Sequence, residues 1–227
     1  MNLSLAYSSW HTPATDYPRR QVGDFRIADY RYVKGYYNMS GLLDNALFRA
    51  AKPLTITDLQ ERRNGKWHTW MVDDPPHWEA MKFYASKAVG RVLTTGLGLG
   101  LVIHALDENK AVESIAVIER SQDVIDLVGD LVPLSVIIKD DFYDYMAATS
   151  DQYDTCIIDL WTASGVASKM KAYGEAIQTM FQVQHKWPGA KVFFHGFPSL
   201  CEEIWPMSES TKDALAMLAH DAKGGVR

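Results

Sequence analysis

A short glycine-rich segment separates two apolar runs near the middle of the chain. It reads Gly96-Leu97-Gly98-Leu99-Gly100, with Val92-Leu93 shortly before it and the run 101–106 directly after it. This pattern predicts a strand, a tight turn and a helix. Glycines in such a turn let a ligand approach the backbone, and the start of a helix offers free N–H groups. We expect a ligand at Gly96, Leu97, Gly98 and Gly100, although a tight turn without a ligand has the same pattern.

From residue 76 onward, the apolar pattern alternates between strand and helix. Strands are predicted at 91–95, 114–119, 134–139, 155–160 and 191–195, and helices at 78–88, 99–107, 122–131, 142–148, 166–186 and 211–222. Repeated alternation with continuously apolar strands predicts an α/β fold, a doubly wound parallel sheet covered on both faces. Such sheets bind ligands beyond the carboxyl ends of their strands.

Residues 1–75 have a different pattern. Partial alternation at 25–28 and 30–33 predicts strands, and Asn64-Gly65 predicts a hairpin turn before a strand at 66–72. We therefore predict a β-rich N-terminal extension or lid over 1–75 and an α/β domain over 76–227. The aromatic residues of the extension are also a candidate contact in a homodimer.

Composition excludes several classes of function. The chain has 227 residues, 47% of them hydrophobic, and a net charge of −5 without a basic run, which argues against nucleic-acid binding. The most apolar window, 92–106, is too short and too interrupted to cross a bilayer, and the N-terminus lacks a signal-peptide pattern. The histidine and cysteine spacings match no zinc motif, so no metal is expected. These features predict a cytoplasmic protein that does not contact membranes.

Acidic residues follow three of the predicted strands. Glu119 ends the second strand, Asp140 and Asp141 follow the third and precede Phe142, and Asp159 ends the fourth. An acid after the second strand can accept hydrogen bonds from the two hydroxyls of a ribose. A carboxylate beside an aromatic ring can accept from the amino group of adenine while the ring packs against the base. Taken singly, each acid also fits a loop residue or a helix N-cap. Together, on one sheet edge, they predict a nucleoside-containing cofactor.

The glycine spacing narrows the choice of cofactor. A dinucleotide fingerprint has glycine or alanine at its sixth position, which is Leu101 when counted from Gly96. A dinucleotide therefore fits poorly. A Gly-Lys-Ser/Thr phosphate loop is also absent from the sequence, which gives no support to nucleoside-triphosphate hydrolysis.

The segments that carry these residues resemble the class I S-adenosylmethionine-dependent methyltransferases. The resemblance covers roughly residues 76–200 and rests on the segments 94–100, 117–119, 139–142 and 154–160. It implies a Rossmann-like sheet with S-adenosylmethionine as cofactor. The glycine turn would approach the amino-acid and sulfonium portion, and Asp159 would lie near the sulfonium. Glu119 would bind the ribose, and Asp141 with Phe142 would hold the adenine, with Asp140 as the neighbouring option.

Within that superfamily, the chain is most similar to the spermidine-synthase-like branch, in which a strand-rich region precedes an acidic helix-opening segment, here 73–81. Three features depart from the pattern, and one is that the glycine turn holds only leucines where spermidine synthases have an acid. Thr94 stands where many methyltransferases have the acid that binds the cofactor's ammonium group. Thr162 stands where spermidine synthases have a second aspartate, so the proton acceptor for aminopropyl transfer is missing.

The motif Asp74-Pro75-Pro76 has two interpretations. It is similar to a motif of amino methyltransferases that clamps the amine of a flipped base. It also fits an ordinary helix start with an aspartate cap and prolines in the first turn, which we favour.

Methyl transfer to a small-molecule acceptor is the predicted function. Transfer from a sulfonium is an in-line displacement, in which positioning supplies much of the rate. Asp159 and His195, at the ends of the fourth and fifth strands, are the predicted catalytic residues, and a purely structural role for His195 stays open. Two alternatives remain: a module that binds an adenosyl compound without turnover, and an aminopropyltransferase with an unusual base.

Overall fold

The structure is a computed structural model that describes residues 5–39, 46–161 and 166–196. As far as residue 72, these residues form two small sheets and a short 3-10 helix, Pro13–Asp16. The strands are β1 (Leu5–Tyr7), β2 (Gln21–Val22), β3 (Phe25–Tyr32), β4 (Gly35–Met39), β5 (Ala46–Ala50), β6 (Leu54–Arg63) and β7 (Lys66–Val72). One sheet has the order β1-β5-β4 and the other β2-β3-β6-β7.

The hairpin of β6 and β7 turns at Asn64-Gly65, as the sequence predicts. Both residues have positive φ, 52° and 75°, which asparagine and glycine tolerate best. The two short strands predicted at 25–28 and 30–33 are instead the single strand β3. Its pairing with β6 is unbroken from Phe25 opposite Glu61 to Tyr32 opposite Leu54, so no turn interrupts it.

The rest of the described chain alternates helix and strand. The helices are α1 (Pro75–Lys87), α2 (Leu101–Asp107), α3 (Gln122–Val128), α4 (Phe142–Ala148) and α5 (Val166–Lys186). The strands are β8 (Gly90–Thr95), β9 (Val112–Glu119), β10 (Val136–Lys139), β11 (Thr155–Ile158) and β12 (Lys191–Phe194). All five pair in parallel, in the order β10-β9-β8-β11-β12.

Both faces of this parallel sheet are covered by apolar side chains of helices. Val92 of β8 and Ile157 of β11 pack in one core with residues of α1, α2 and α3. Their neighbours Leu93 and Ile158 point the other way and pack with residues of α4 and α5. The fold is therefore the predicted α/β, doubly wound sheet. The strand order reverses between β8 and β11, which is where such sheets form a ligand crevice.

The element boundaries differ from the predicted ones by a few residues. The predicted helix at 99–107 begins only at Leu101, because Gly98 and Gly100 have positive φ values of 51° and 68° that a helix does not accommodate. The strand predicted at 134–139 begins at Val136. The helix predicted at 211–222 lies outside the described residues, as does Thr162. Among the described helices, none has the length and apolar character needed to cross a membrane.

Candidate functional site

A cavity of about 1050 Å³ lies at the carboxyl ends of the parallel strands. It is lined by all but one of the predicted cofactor-binding and catalytic residues: Gly96, Leu97, Gly98, Glu119, Asp140, Asp141, Phe142, Asp159 and His195. These residues are far apart in the chain and meet here because each follows, or ends, a strand of the same parallel sheet. The exception is Gly100, the residue before α2. A Cβ atom at Gly100 would lie 2.1 Å from Val132 Cγ1, so this glycine permits close packing away from the cavity.

The first glycine of the turn brings two strand ends together. Gly96 N–H donates to the carbonyl oxygen of Ile118 at 2.8 Å, next to Glu119. A Cβ atom at Gly96 would lie 3.3 Å from the Asp159 carbonyl oxygen, and the residue has a φ of 78°. Glycine at this position therefore lets the ends of β8 and β11 approach each other closely.

Glu119 binds the glycine turn directly. Its Oε2 accepts a hydrogen bond from Leu97 N–H at 2.8 Å, and its Oε1 accepts one from Ser121 N–H at 2.6 Å. A carboxylate has about four acceptor positions. Glu119 can thus hold the turn and still accept hydrogen bonds from the hydroxyls of a ligand.

The segment after β10 begins α4. Asp141 is the N-cap of this helix, and its Oδ1 accepts from Tyr143 N–H at 2.9 Å. Asp140 Oδ1 accepts from Asp141 N–H at 2.8 Å. Phe142 is only 3% exposed and packs mainly in the core, so little of its ring reaches the cavity. The neighbouring ring of Tyr143 is 40% exposed and lines the cavity as well, a feature that the sequence analysis missed.

Two histidines and two aspartates of the cavity lining, His77, His195, Asp74 and Asp159, form a second cluster of polar side chains. The rings of His77 and His195 have centroids 4.9 Å apart and are tilted by 38°. Asp74 is the N-cap of α1, and its Oδ1 accepts from His77 N–H at 3.1 Å, which confirms the helix start favoured for Asp74-Pro75-Pro76. Asp159 interacts electrostatically with His77. The sequence analysis did not predict His77 as a site residue. The one sequence feature that points to it is its position in the first turn of α1, after the Asp74 N-cap.

Burial shifts the protonation of all four groups. It raises the pKa of Asp74 and of Asp159 to about 6. It lowers the pKa of His77 to about 3, with a contribution from His195, and lowers the pKa of His195 to about 4. Both imidazoles are therefore neutral at pH 7, and each has one nitrogen that can accept a hydrogen bond.

The N-terminal strands form one wall of the cavity. Trp70 and Met71 of β7 and Phe25 of β3 contribute to its lining. Leu99 N–H donates to Met71 Sδ at 3.2 Å, so β7 contacts the glycine turn itself. The sequence predicted this strand but could not show which side chain faces the turn.

The cavity lining is strongly acidic. Seven described residues of the lining have carboxylate side chains: Glu61, Asp74, Glu119, Asp140, Asp141, Asp159 and Glu175. The same lining has a single arginine, Arg120. Such an excess of carboxylates favours a ligand with positive charge. In the described part of the chain, no group of three His, Cys, Asp or Glu side chains is arranged to hold a metal ion.

Comparisons with known proteins give only distant similarities. No protein-family model matches the chain, and no curated protein does. Among solved structures, the chain is similar to a precorrin 8W decarboxylase of Methanobacterium thermoautotrophicum, at 14% identity and a TM-score of 0.39, over 65% of this chain and 71% of that one. A dimethyladenosine transferase of Plasmodium falciparum has 15% identity and a TM-score of 0.37, over 53% and 42% of the two chains.

A third similar structure is an S-adenosylmethionine-dependent methyltransferase of Thiobacillus denitrificans in complex with S-adenosylhomocysteine. It has 17% identity and a TM-score of 0.34, over 53% of this chain and 48% of that one. The chain thus spans less than half of the second and third of these structures.

Proposed function

We propose that the chain is an S-adenosylmethionine-dependent methyltransferase that acts on a small molecule. The observation that carries this proposal is the meeting of the glycine turn, Glu119 and the acidic pair Asp140-Asp141 in one cavity. A nucleoside needs acceptors for its ribose hydroxyls and for the amino group of its base. Glu119 and Asp141 supply such acceptors on adjacent strand ends, beside a turn where the backbone can be approached closely.

The proposed roles follow the order of the strands. Gly96, Leu97 and Gly98 lie beside the amino-acid and sulfonium portion, Glu119 accepts from the ribose hydroxyls, and Asp141, with Asp140 and Phe142 next to it, accepts from the adenine. Asp159 and His195 face the reacting atoms. When bound, S-adenosylmethionine supplies an electrophilic methyl group on a positively charged sulfur. The carboxylates of the lining favour binding of that charge, and the turn orients it for in-line attack.

The size of the cavity supports an enzyme over a module that only binds. A volume of about 1050 Å³ is at the upper end of the range for ligand pockets and leaves room for a second molecule. Besides the glycine turn, the lining includes His77, Trp161 and Glu175. A small acceptor bound beside these residues would lie next to the sulfonium.

Aminopropyl transfer is a second candidate, and the charge of the cavity favours it. Asp159 lies beside Gly96, and Arg120, the single arginine of the described lining, follows Glu119 on the ribose side of the proposed site. A cofactor with a free carboxylate therefore meets neither lysine nor arginine at the proposed amino-acid end. A decarboxylated cofactor, which has an amine and a sulfonium but no carboxylate, matches this end better.

Calorimetric titration with S-adenosylmethionine, S-adenosylhomocysteine and decarboxylated S-adenosylmethionine tests the proposal. We expect Glu119→Ala to weaken binding at least about tenfold, since hydrogen bonds to a charged group are lost. Glu113→Ala, an exposed glutamate on the same strand, is the matched control. Preference for the decarboxylated form would favour aminopropyl transfer. Absence of binding by all three ligands would refute the adenosyl site.

A further inference from the structure

Residues 12–20, which we call the N-terminal strap, connect the end of β7 with α3. At one end, Thr12 Oγ1 donates a hydrogen bond to Oδ2 of Asp73, the residue after β7. At the other end, Arg20 Nε donates to a backbone carbonyl oxygen of α3 at 3.1 Å. Tyr17 lies between these two attachments and is only 7% exposed. The strap therefore holds the Tyr17 side chain in a defined position.

The hydroxyl of Tyr17 contacts the glycine turn and the helix that follows it. Its Oη lies 3.2 Å from the Leu99 carbonyl oxygen and 2.7 Å from Nε2 of His104, a residue of α2. In the described chain, none of these three residues lines the cavity. The contact therefore acts on the turn without touching a ligand in the cavity.

A single hydroxyl proton faces two acceptors at this contact. Burial raises the pKa of Tyr17, so its hydroxyl stays protonated near neutral pH. Because a hydroxyl has one proton, it cannot donate fully to the Leu99 carbonyl oxygen and to an unprotonated His104 Nε2 at the same time. The contact with His104 is the shorter one.

The protonation of His104 decides between the two acceptors. Burial lowers the pKa of His104, whereas the carboxylates of Asp107 and Glu108 and a hydrogen bond with the Leu131 backbone act in the opposite direction. Because burial is the largest of these effects, the ring is neutral near pH 7. A ring that donates to a backbone carbonyl through one nitrogen offers the other as an acceptor when neutral and as a donor when protonated.

We propose that Tyr17 is a positioning residue for the glycine turn, and that His104 selects the partner of its hydroxyl. While His104 is neutral, the Tyr17 hydroxyl donates to His104 Nε2. Once His104 is protonated, Nε2–H donates to Tyr17 Oη, and the hydroxyl proton turns to the Leu99 carbonyl oxygen. The change consumes one proton from the solvent and no other reactant. The additional hydrogen bond fixes the turn in the conformation that binds a ligand. That this ligand is an adenosyl compound rests on the proposed function above.

Ligand binding and protonation of His104 then favour each other, because both favour the ordered turn. The ligand should raise the pKa of His104, and acidification should tighten ligand binding about threefold, the effect of one hydrogen bond. Asp74 and Asp159 in the cavity lining, each with a pKa of about 6, titrate in the same pH range. The effect of His104 is therefore the difference between the unmodified chain and a variant without the Tyr17 hydroxyl.

The first test uses the ligand-free chain. NMR of the imidazole nitrogens between about pH 7.5 and about pH 5 gives the protonation of His104 and the tautomer of its neutral ring. We expect the neutral ring to carry its proton on Nδ1. The amide of Gly100, whose nitrogen is bonded to the Leu99 carbonyl carbon, should shift with the same midpoint as His104, and this shift should be lost in Tyr17→Phe. A neutral ring with its proton on Nε2, or a Gly100 amide that does not follow His104, would overturn the proposal.

Calorimetric titration with S-adenosylhomocysteine at the two ends of this pH range gives a second readout. The ratio of the binding constant of the unmodified chain to that of Tyr17→Phe should rise about threefold from the higher to the lower pH. Tyr153→Phe is the matched control, because Tyr153 is also buried and its hydroxyl is hydrogen-bonded to Tyr145, outside the described lining of the cavity. It should keep the pH profile of the unmodified chain. A constant ratio for Tyr17→Phe would mean that Tyr17 acts only through packing.

The two experiments separate this inference from the proposed function. If S-adenosylhomocysteine does not bind, the adenosyl site is refuted, and the NMR titration of the ligand-free chain still decides whether Tyr17 positions the turn. If it binds and the ratio is constant, only the role of Tyr17 is refuted. If Tyr17→Phe does not fold, the midpoints of His104 and Gly100 in the unmodified chain decide.

Discussion

Met71 occupies the space that a side chain at Gly98 would need. A Cβ atom at Gly98 would lie 2.3 Å from Met71 Sδ, and the same sulfur accepts the hydrogen bond from Leu99 N–H. A residue of the N-terminal strands and a residue of the glycine turn are thus fitted to each other. The packing of this contact and the conformation of the turn can be tested separately by mutation.

Gly98→Ala should destabilise the chain by about 2–4 kcal/mol, since it combines a strained positive φ with a steric clash. Urea unfolding followed by circular dichroism measures this loss. Gly65→Ala is the matched control, because Gly65 also has a positive φ, 75°, but no atom within 4 Å of its Cβ position. It should cost about 1 kcal/mol from strain alone.

The double variant Gly98→Ala/Met71→Ala tests whether Met71 is the cause of the clash. The double variant should be destabilised by about 1 kcal/mol less than the sum of the two single-variant losses, because the effects of substitutions at residues in contact are not additive. Additive effects of the two substitutions would show that the cost at Gly98 comes from the backbone.

The free energy of unfolding should decrease as the pH rises from about 4 to about 6, because of Asp74. This side chain is 1% exposed, and burial raises its pKa from 3.8 to about 6. Between these pH values, the folded chain keeps a proton that the unfolded chain has already lost, so rising pH favours unfolding. Asp74→Asn, which retains a capping oxygen, should remove about 2 kcal/mol of this pH dependence.

Urea unfolding at pH 4, 5, 6 and 7 on Asp74→Asn and the unmodified chain gives the difference directly. Relative to the unmodified chain, Asp74→Asn should become more stable as the pH rises to about 6, and the difference should stay constant above that pH. Asp144→Asn, at an exposed aspartate of α4, is the control. Parallel stability curves for the unmodified chain and Asp74→Asn would contradict the raised pKa.

Gly174→Ala should stabilise the chain by about 0.5–1 kcal/mol, because glycine inside a helix costs conformational entropy. Gly174 lies inside α5, is exposed, and has no atom within 4 Å of its Cβ position, so the added methyl group meets nothing. A shift of the urea midpoint to higher concentration is the expected result, and an unchanged or lower midpoint contradicts it.

The sequence predicts the parallel sheet well because each strand is a continuous apolar run between helical patterns. The helices over 142–148 and 166–186 agree with their predicted ends, as does the strand over 66–72. The strand-end residues Glu119, Asp141 and Asp159 were predictable as neighbours, since parallel strands place their carboxyl ends on one edge.

The residues missed by sequence analysis depend on contacts between distant parts of the chain. His77 lies beside His195 only because α1 packs next to the end of β12, 118 positions further along the sequence. Met71 contacts the glycine turn because of how the β6–β7 hairpin packs on the parallel sheet. The glycine spacing predicts that Gly100 binds a ligand together with Gly96 and Gly98, whereas in the structure its Cβ position lies against Val132. No periodicity encodes these relations.

The hydrogen bond from Leu99 to Met71 has a thermodynamic consequence for the whole chain. Local opening of the N-terminal strands would remove the acceptor of a turn amide, and rearrangement of the turn would remove a partner of β7. The two regions therefore stabilise each other. A ligand that orders the turn therefore also stabilises the N-terminal strands against local opening, even where it does not contact them. Ligand binding at the sheet edge should then be detectable as slower amide hydrogen exchange in the N-terminal strands.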